Sequence, residues 1–299
     1  MLSLLRWLSR RSLAFAHALG GVLGWAAYAA SASYRHRLRA NAARGAMAPA
    51  QWRASIAHAG RMVGELPRLW LRPRDEPLRP AVVWDGAERI ERALDDGRGL
   101  LMLTPHLGAF EVIAQAYAER FGARQPMVAL YRPARQAWLR ELEQTARERP
   151  GLLTAPASLA GVRQMLRALR QGQTVGLLPD QVPPDGMGVW APFFGRDAYT
   201  MTLAAKLALQ TRAPTLLVLA ERLPRAQGWR VRVFDPPVPW PQARDYGGDD
   251  QAHQAACAAV TNGAMEYLIR QCPEQYLWGY HRYKRPKAAG PAEGRGTSQ

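Results

Sequence analysis

Lysine is nearly missing from this sequence: it occurs only at Lys206, Lys284 and Lys287. The 40 basic residues are therefore almost all arginine, and against 24 acidic residues they give a formal net charge of +16. The planar guanidinium fork suits bidentate recognition of phosphate and carboxylate. A surface of that sign favours acidic partners: nucleic acid, anionic lipid or an acidic carrier protein. Cysteine is equally scarce. Cys257 and Cys272 are too few for a disulfide scaffold and lack the Cys/His clustering of a metal site, which fits a reducing compartment. No period of roughly 20–50 residues repeats, so a solenoid is excluded. The sequence has no recognisable helix-turn-helix, RNP or zinc motif, which leaves a basic nucleic-acid-binding module as a distant alternative only.

A further absence is local. Residues 12–34 contain no Asp, Glu, Lys or Arg, yet Arg10 and Arg11 precede them and Arg35, Arg37 and Arg39 follow. About 20 apolar residues suffice to span a bilayer, although this run is rich in Ala, Gly and Ser and carries His17. Three readings compete. Ala27-Tyr28-Ala29 resembles a signal-peptide cleavage site. A soluble core helix satisfies the same composition. The third, adopted as the expectation, is a membrane anchor over residues 1–34, spanning the bilayer or lying in its interface. The arginines that follow disfavour export, because basic residues there remain cytoplasmic.

What is present is 299 residues with 48% hydrophobic content, enough for one substantial core. Residues 35–70 read as helix, interrupted near Gly45 and Pro49. An α/β rhythm follows. Strands are expected at 81–84, 99–103, 126–130, 152–155, 174–178, 215–220 and 230–234. Helices are expected at 87–94, 108–121, 136–147, 159–171, 201–210 and 252–270. Such alternation predicts an α/β fold with a mainly parallel central sheet flanked by helices. Residues 286–299, rich in Gly, Pro and Ala, are expected to form a disordered tail.

Polar stations follow the apolar strands. Thr104-Pro105-His106-Leu107-Gly108-Ala109-Phe110-Glu111 places a histidine and a carboxylate at a strand-to-helix corner, spaced H-x-x-x-x-E. An imidazole backed by a carboxylate is a general base able to activate a hydroxyl. Alone, the spacing is equally a loop histidine and a first-turn acid favoured by the helix dipole. Tyr131-Arg132-Pro133 and Pro179-Asp180-Gln181 follow two further strands. Parallel strands end at one sheet edge, where α/β proteins bind ligands, so His106, Glu111, Arg132 and Asp180 can converge on one cleft. Singly, Arg132 also reads as a solvated loop residue and Asp180 as a cap. Gly188-Val189-Trp190-Ala191-Pro192-Phe193-Phe194-Gly195 reads as core or as an acyl-chain pocket. The run from Pro273 to Pro286 mixes aromatics with cations, as an interfacial segment or a packed C-terminal helix does.

Taken in order, the stations H-L-G-A-F-E, Y-R-P, L-P-D, G-V-W-A-P-F-F-G and P-E-Q-Y-L-W…H-R-Y-K-R-P resemble the bacterial lipid A biosynthesis late acyltransferases, the lauroyl/myristoyl transferase family. The resemblance covers nearly the whole chain and implies an acyltransferase domain over residues 35–285. It implies a cytoplasm-facing inner-membrane enzyme with an acyl-carrier-protein thioester as donor and no cofactor or metal. The acceptor would be a hydroxyl on a lipid A precursor, an anionic glycolipid. His106 and Glu111 would be the catalytic dyad, Glu111 holding the imidazole. Arg132 and Asp180 would serve substrate binding, with Asp180 orienting Arg132. Pro105 departs from the polar residue many members carry there, and Gln181-Val182-Pro183-Pro184 lies in a variable region. These departures leave open acylation of another glycolipid, such as a phosphatidylinositol mannoside. A hydrolase using the same dyad on water is a third reading.

Overall fold

The computed structural model describes residues 2–131 and 149–286. Arg132, the expected helix at 136–147 and the expected tail after Pro286 lie outside the described residues. The chain begins with four helices, α1 (Leu2–Ser9), α2 (Leu13–Ala30), α3 (Ala32–Arg44) and α4 (Pro49–Trp70). The α/β body follows with β1 (Val83–Asp85), α5 (Ala87–Asp95), β2 (Leu100–Leu103), α6 (Phe110–Phe121), β3 (Met127–Tyr131), β4 (Leu152–Pro156), α7 (Leu159–Arg170) and β5 (Thr174–Leu177). It ends with β6 (Gly188–Phe193), β7 (Arg196–Met201), α8 (Leu203–Thr211), β8 (Thr215–Arg222), β9 (Trp229–Phe234) and α9 (Asp250–Gln271).

Among the described residues, seven strands form one sheet in the order β1-β9-β8-β2-β5-β3-β4. The five from β8 to β4 are mutually parallel. Strand β9 is antiparallel to β8, and β1 runs alongside β9. The central strands β2 and β5 are short and mainly apolar, as strands buried on both faces are. Their period of two divides the core. Leu101, Leu103, Val175, Leu177, Leu217 and Leu219 join one buried cluster, whereas Leu100, Met102, Leu216 and Val218 join the other.

The stretch Gly188–Gly195 is neither a simple core run nor a helix. It forms a β-hairpin with β7, turning at Phe194 and Gly195, whose φ values of 45° and 72° are the left-handed pair of a tight hairpin. Phe193 and Phe194 are buried; Trp190 is 46% exposed. Asn262 on α9 donates to the carbonyls of Ala191 and Pro192, and Arg282 donates to the Tyr199 carbonyl at 2.7 Å. The C-terminal aromatic block is a short 3-10 turn followed by irregular chain rather than a helix. Its Tyr276 and Trp278 are buried in the core.

Helix α2 is built into the body along one face. Gly20 and Gly24 meet Gly60 and Gly64 of α4 at backbone-to-backbone distance, so a Cβ on Gly60 would overlap the Gly20 carbonyl oxygen. Five residues past Gly60, Glu65 lies 2.6 Å from His17 Nε2 of α2. The other face of α2 is largely exposed: Phe15, Val22, Leu23 and Trp25 are 40–66% exposed, Phe15 meeting Trp7 of α1 edge-on, and Leu2, Leu4 and Trp7 of α1 are exposed as well.

Gly60→Ala is therefore expected to push α2 off α4 and destabilise the protein by about 1–3 kcal/mol, the usual cost of overpacking. Thermal denaturation of the purified variant checks this; an unchanged midpoint would mean the helices do not meet here.

Candidate active site

The site arises from strand register. Leu103 of β2 pairs with Leu177 of β5, and Thr104 N–H continues the ladder to the Leu177 carbonyl at 3.1 Å. His106 is three residues beyond Leu103, and Asp180 is three beyond Leu177. Two in-register parallel strands of equal overhang bring these residues side by side. His106 Nδ1 lies 2.6 Å from Asp180 Oδ1, and the His106 backbone N–H donates to Oδ2 at 2.9 Å. One carboxylate thus holds both the ring and the main chain of the histidine. The His106 side chain is 19% exposed, against 2% for Asp180, so the ring is the accessible end of the pair. Phe110 packs against it at 4.9 Å between ring centroids.

A carboxylate only accepts hydrogen bonds, so Nδ1 carries the proton and Nε2 presents its lone pair. Burial alone would raise the Asp180 pKa. The adjoining His106, through charge and two hydrogen bonds, and then Arg282, pull it below the ordinary 3.8. Asp180 is thereby kept as an anion beside the imidazole. Because its folded pKa is depressed, the stabilisation it brings is complete above pH 3.8. That stabilisation is lost only as pH falls further, through the folded value. Buried Tyr276 stands behind this carboxylate. Burial first, and then the charge of Asp180, hold its phenol proton well above the usual range.

The segment carrying His106 is clamped on both sides. Gly108 N–H donates to the Gln275 carbonyl at 3.0 Å, Ala109 N–H to the Ala220 carbonyl at 2.8 Å, and Leu277 N–H to the His106 carbonyl at 3.3 Å. Gly108 has φ +60°, and a Cβ there would overlap the Ala220 carbonyl oxygen, so glycine is required twice over. Arg222 Nη2 donates to the Gly108 carbonyl at 2.7 Å.

Glu111 sits in the first turn of α6. It accepts a long 3.4 Å bond from Trp70 Nε1 at the end of α4. That helix end is held in turn by buried Arg149, which donates to the carbonyls of Leu69, Arg72 and Pro73. The expected pairing of roles is thus redrawn. Asp180, rather than Glu111, occupies Nδ1 of His106, because β5 is the strand next to β2 whereas the first turn of α6 carries Glu111 toward α4. The structure brings His106 and Asp180 together and puts Glu111 on the same corner; Arg132 lies outside the described residues. Among the described residues, no group of three or more His, Cys, Asp or Glu stands close enough to hold a metal ion. Sequence reasoning missed the support given by Arg222, Gln275 and Arg149. Gln275 lies within the P-E-Q-Y-L-W run, the one signal that pointed near them.

A histidine supported by a buried carboxylate at the C-terminal edge of a mainly parallel sheet has the form that general-base chemistry uses. A family model for bacterial lipid A biosynthesis acyltransferases matches residues 2–285, and the chain belongs to that family. It is 28% identical over 216 residues to a lipid A biosynthesis palmitoleoyltransferase of Escherichia coli, covering 72% of this chain and 65% of that protein. It is 27% identical over 200 residues to the lauroyltransferase of the same organism, covering 67% and 60%. With the E. coli myristoyltransferase the identity is 24% over 203 residues, covering 68% and 59%. The chain therefore matches somewhat less than two thirds of the length of these relatives.

Asp180→Asn replaces an acceptor-only partner by an amide that can accept or donate, so His106 is expected to lose its fixed Nδ1–H tautomer. Ring 15N shifts at neutral pH should move from the single-tautomer pattern to a mixture. An unchanged pattern would mean the carboxylate does not set the tautomer.

Proposed function

We propose that this protein transfers a fatty acyl group from an acyl-carrier-protein thioester to a hydroxyl of a lipid A precursor at the cytoplasmic face of the inner membrane. The observation that carries this reading is His106 held between Asp180 and the clamped segment, with Nε2 left for a substrate, in a chain of this family. In the proposed reaction, Nε2 takes the acceptor hydroxyl proton as the oxygen attacks the thioester carbonyl. The tetrahedral intermediate collapses with loss of the carrier thiolate, to which the imidazolium returns the proton. Asp180 holds the ring and stabilises its positive charge, as the buried acid does in a Ser-His-Asp triad. Glu111 remains in the proposed catalytic set, as a second carboxylate on the same corner that acts through the acceptor rather than through Nδ1. Arg132 directly follows Tyr131, the last residue of β3, and is assigned the acceptor phosphate or the oxyanion, for which its fork is suited.

The membrane placement rests on α1 and α2. Among the described residues, Leu13–Ala30 is the one helix apolar and long enough to cross a bilayer. Its inner face carries His17 to Glu65, while its outer face is apolar. A helix packed on protein along one side and apolar and exposed along the other, flanked by Arg10, Arg11 and Arg35, fits an element lying in the lipid interface. The anchor is then part of the fold rather than a separable tether.

His106→Ala should lower acyl transfer by about two to four orders of magnitude in a protein that still folds, and Glu111→Asp should be milder than Glu111→Ala. Single-turnover assays with acyl carrier protein and lipid acceptor decide this; near-normal transfer by a folded His106→Ala enzyme removes the reading. Carrier docking on the basic surface carries its own expectation. Raising salt to about 0.5 M should increase the apparent KM for the carrier-bound donor, since the Debye length at 0.1 M is already only about 10 Å. With saturating acceptor, a short uncharged acyl thioester should escape that effect. Equal salt sensitivity of both donors would assign the basic surface to the acceptor or the lipid.

A further inference from the structure

A cavity of about 580 Å³ opens between α2, α4 and the turn joining β8 to β9. It does not include His106, Glu111 or Asp180. Three residues of its lining carry buried nitrogen donors with no hydrogen-bond partner among the described residues: Nη1 of Arg222, Nε of Arg61 and Nδ1 of His58. Arg222 lines the cavity with a side chain only 1% exposed. Its Nε is committed to Glu65 at 2.9 Å and its Nη2 to the Gly108 carbonyl at 2.7 Å, so Nη1 is the nitrogen left over.

The chemistry of His58 is fixed by its neighbour. Arg61 Nη1 lies 3.3 Å from His58 Nε2. A guanidinium can only donate, so Nε2 accepts and the ring proton sits on Nδ1. Three residues around the cavity therefore hold unmatched donors. The charges acting on His58 are positive. His58 titrates at about 3, lowered first by burial and then by the charges of Arg222, Arg61 and His17. Arg225 adds a third guanidinium to the lining. Two carboxylates line the cavity as well. Glu221 is 4.0 Å from Arg230, and Glu274 accepts from the Cys272 thiol at 3.5 Å, so neither meets the three donors.

Buried donors call for acceptors, and clustered guanidinium groups call for an anion with several oxygens. We propose that this cavity is a binding site for a phosphate group, separate from the His106 site, and that the phosphate is carried on a lipid headgroup. The lipid source follows from the wall itself: Ala14, His17 and Ala18 of α2 line the cavity, and the same helix presents Phe15, Val22, Leu23 and Trp25 outward. A headgroup entering beside that face reaches the arginines while its chains stay with the apolar surface. Occupancy has a path to the catalytic corner. A phosphate on Nη1 gives Arg222 a third fixed partner and stiffens its hold on Gly108, two residues from His106.

The test uses the full-length protein in a non-ionic detergent and reads the His58 ring by NMR, with no turnover required. Inorganic phosphate and a short-chain phosphatidic acid are titrated separately. Both should shift the His58 signals saturably and raise its titration midpoint. Phosphatidic acid binding at least about tenfold tighter than inorganic phosphate assigns the site to lipid headgroups. Equal affinity keeps the phosphate site and overturns the lipid assignment. Arg61→Gln should weaken binding at least about tenfold, the scale of one lost charge-assisted hydrogen bond. His58→Gln, followed by calorimetry, should weaken it measurably too. Arg163→Gln on the exposed face of α7 should bind as the wild type does. No saturable response at His58 to either probe sinks the proposal. Loss in Arg163→Gln equal to that in Arg61→Gln would sink it equally, by reducing the effect to general surface charge.

Discussion

Glu65 ties the molecule together. This carboxylate is 1% exposed. Oε1 lies 2.6 Å from His17 Nε2 on α2 and accepts from Trp229 Nε1 on β9 at 3.0 Å, while Oε2 accepts from Arg222 Nε on β8 at 2.9 Å. Burial alone would raise its pKa, but Arg222, His17 and Trp229 together pull it below the usual carboxylate value, so it stays an anion. Removing one partner of such a buried pair costs about 3–5 kcal/mol, because the other is left charged and unmatched. The consequence reaches beyond stability. Arg222 passes the constraint to the Gly108 carbonyl, and Gln275 exchanges bonds with Arg222 while its carbonyl accepts from Gly108 N–H. The His106 segment is thus positioned partly by a helix in the N-terminal layer.

That linkage changes what the apolar N-terminal run is for. Its glycines are spaced to admit α4, and its one histidine, His17, is the group that meets Glu65. A helix that gives one face to α4 and leaves the other apolar and exposed ties the N-terminal layer to the frame around the site. Arg149, through the end of α4 and Trp70, reaches Glu111 from the same layer.

The α/β rhythm was legible because short apolar strands and amphipathic helices alternate along the chain, and every expected strand is present within a residue or two. The antiparallel entry of β9 was not legible: strand direction depends on where the β8–β9 turn folds back, and Pro224–Gly228 reads only as a loop. The hairpin at Gly188–Met201 was hidden because its first strand is rich in aromatics and proline, like a core run. Long-range polar pairs, such as His17 with Glu65 or Arg222 with Gly108, leave no periodic trace in one sequence at all.

The choice between Asp180 and Glu111 as the partner of Nδ1 shows the same limit from the other side. A fixed spacing such as H-x-x-x-x-E draws attention because it is local, yet local spacing across a strand-to-helix corner does not fix where a side chain ends. Helix α6 begins at Phe110, so Glu111 turns with its first coil, toward Trp70. The β2–β5 ladder fixes the relation of residues 74 positions apart, because parallel strands in register advance together by about 3.3 Å per residue. Leu103 faces Leu177, Thr104 N–H still bonds the Leu177 carbonyl, and the third residues beyond them, His106 and Asp180, meet just past the strand ends. The partner of the histidine is therefore set by sheet pairing, while the first turn of α6 carries its acid toward α4 at the same corner.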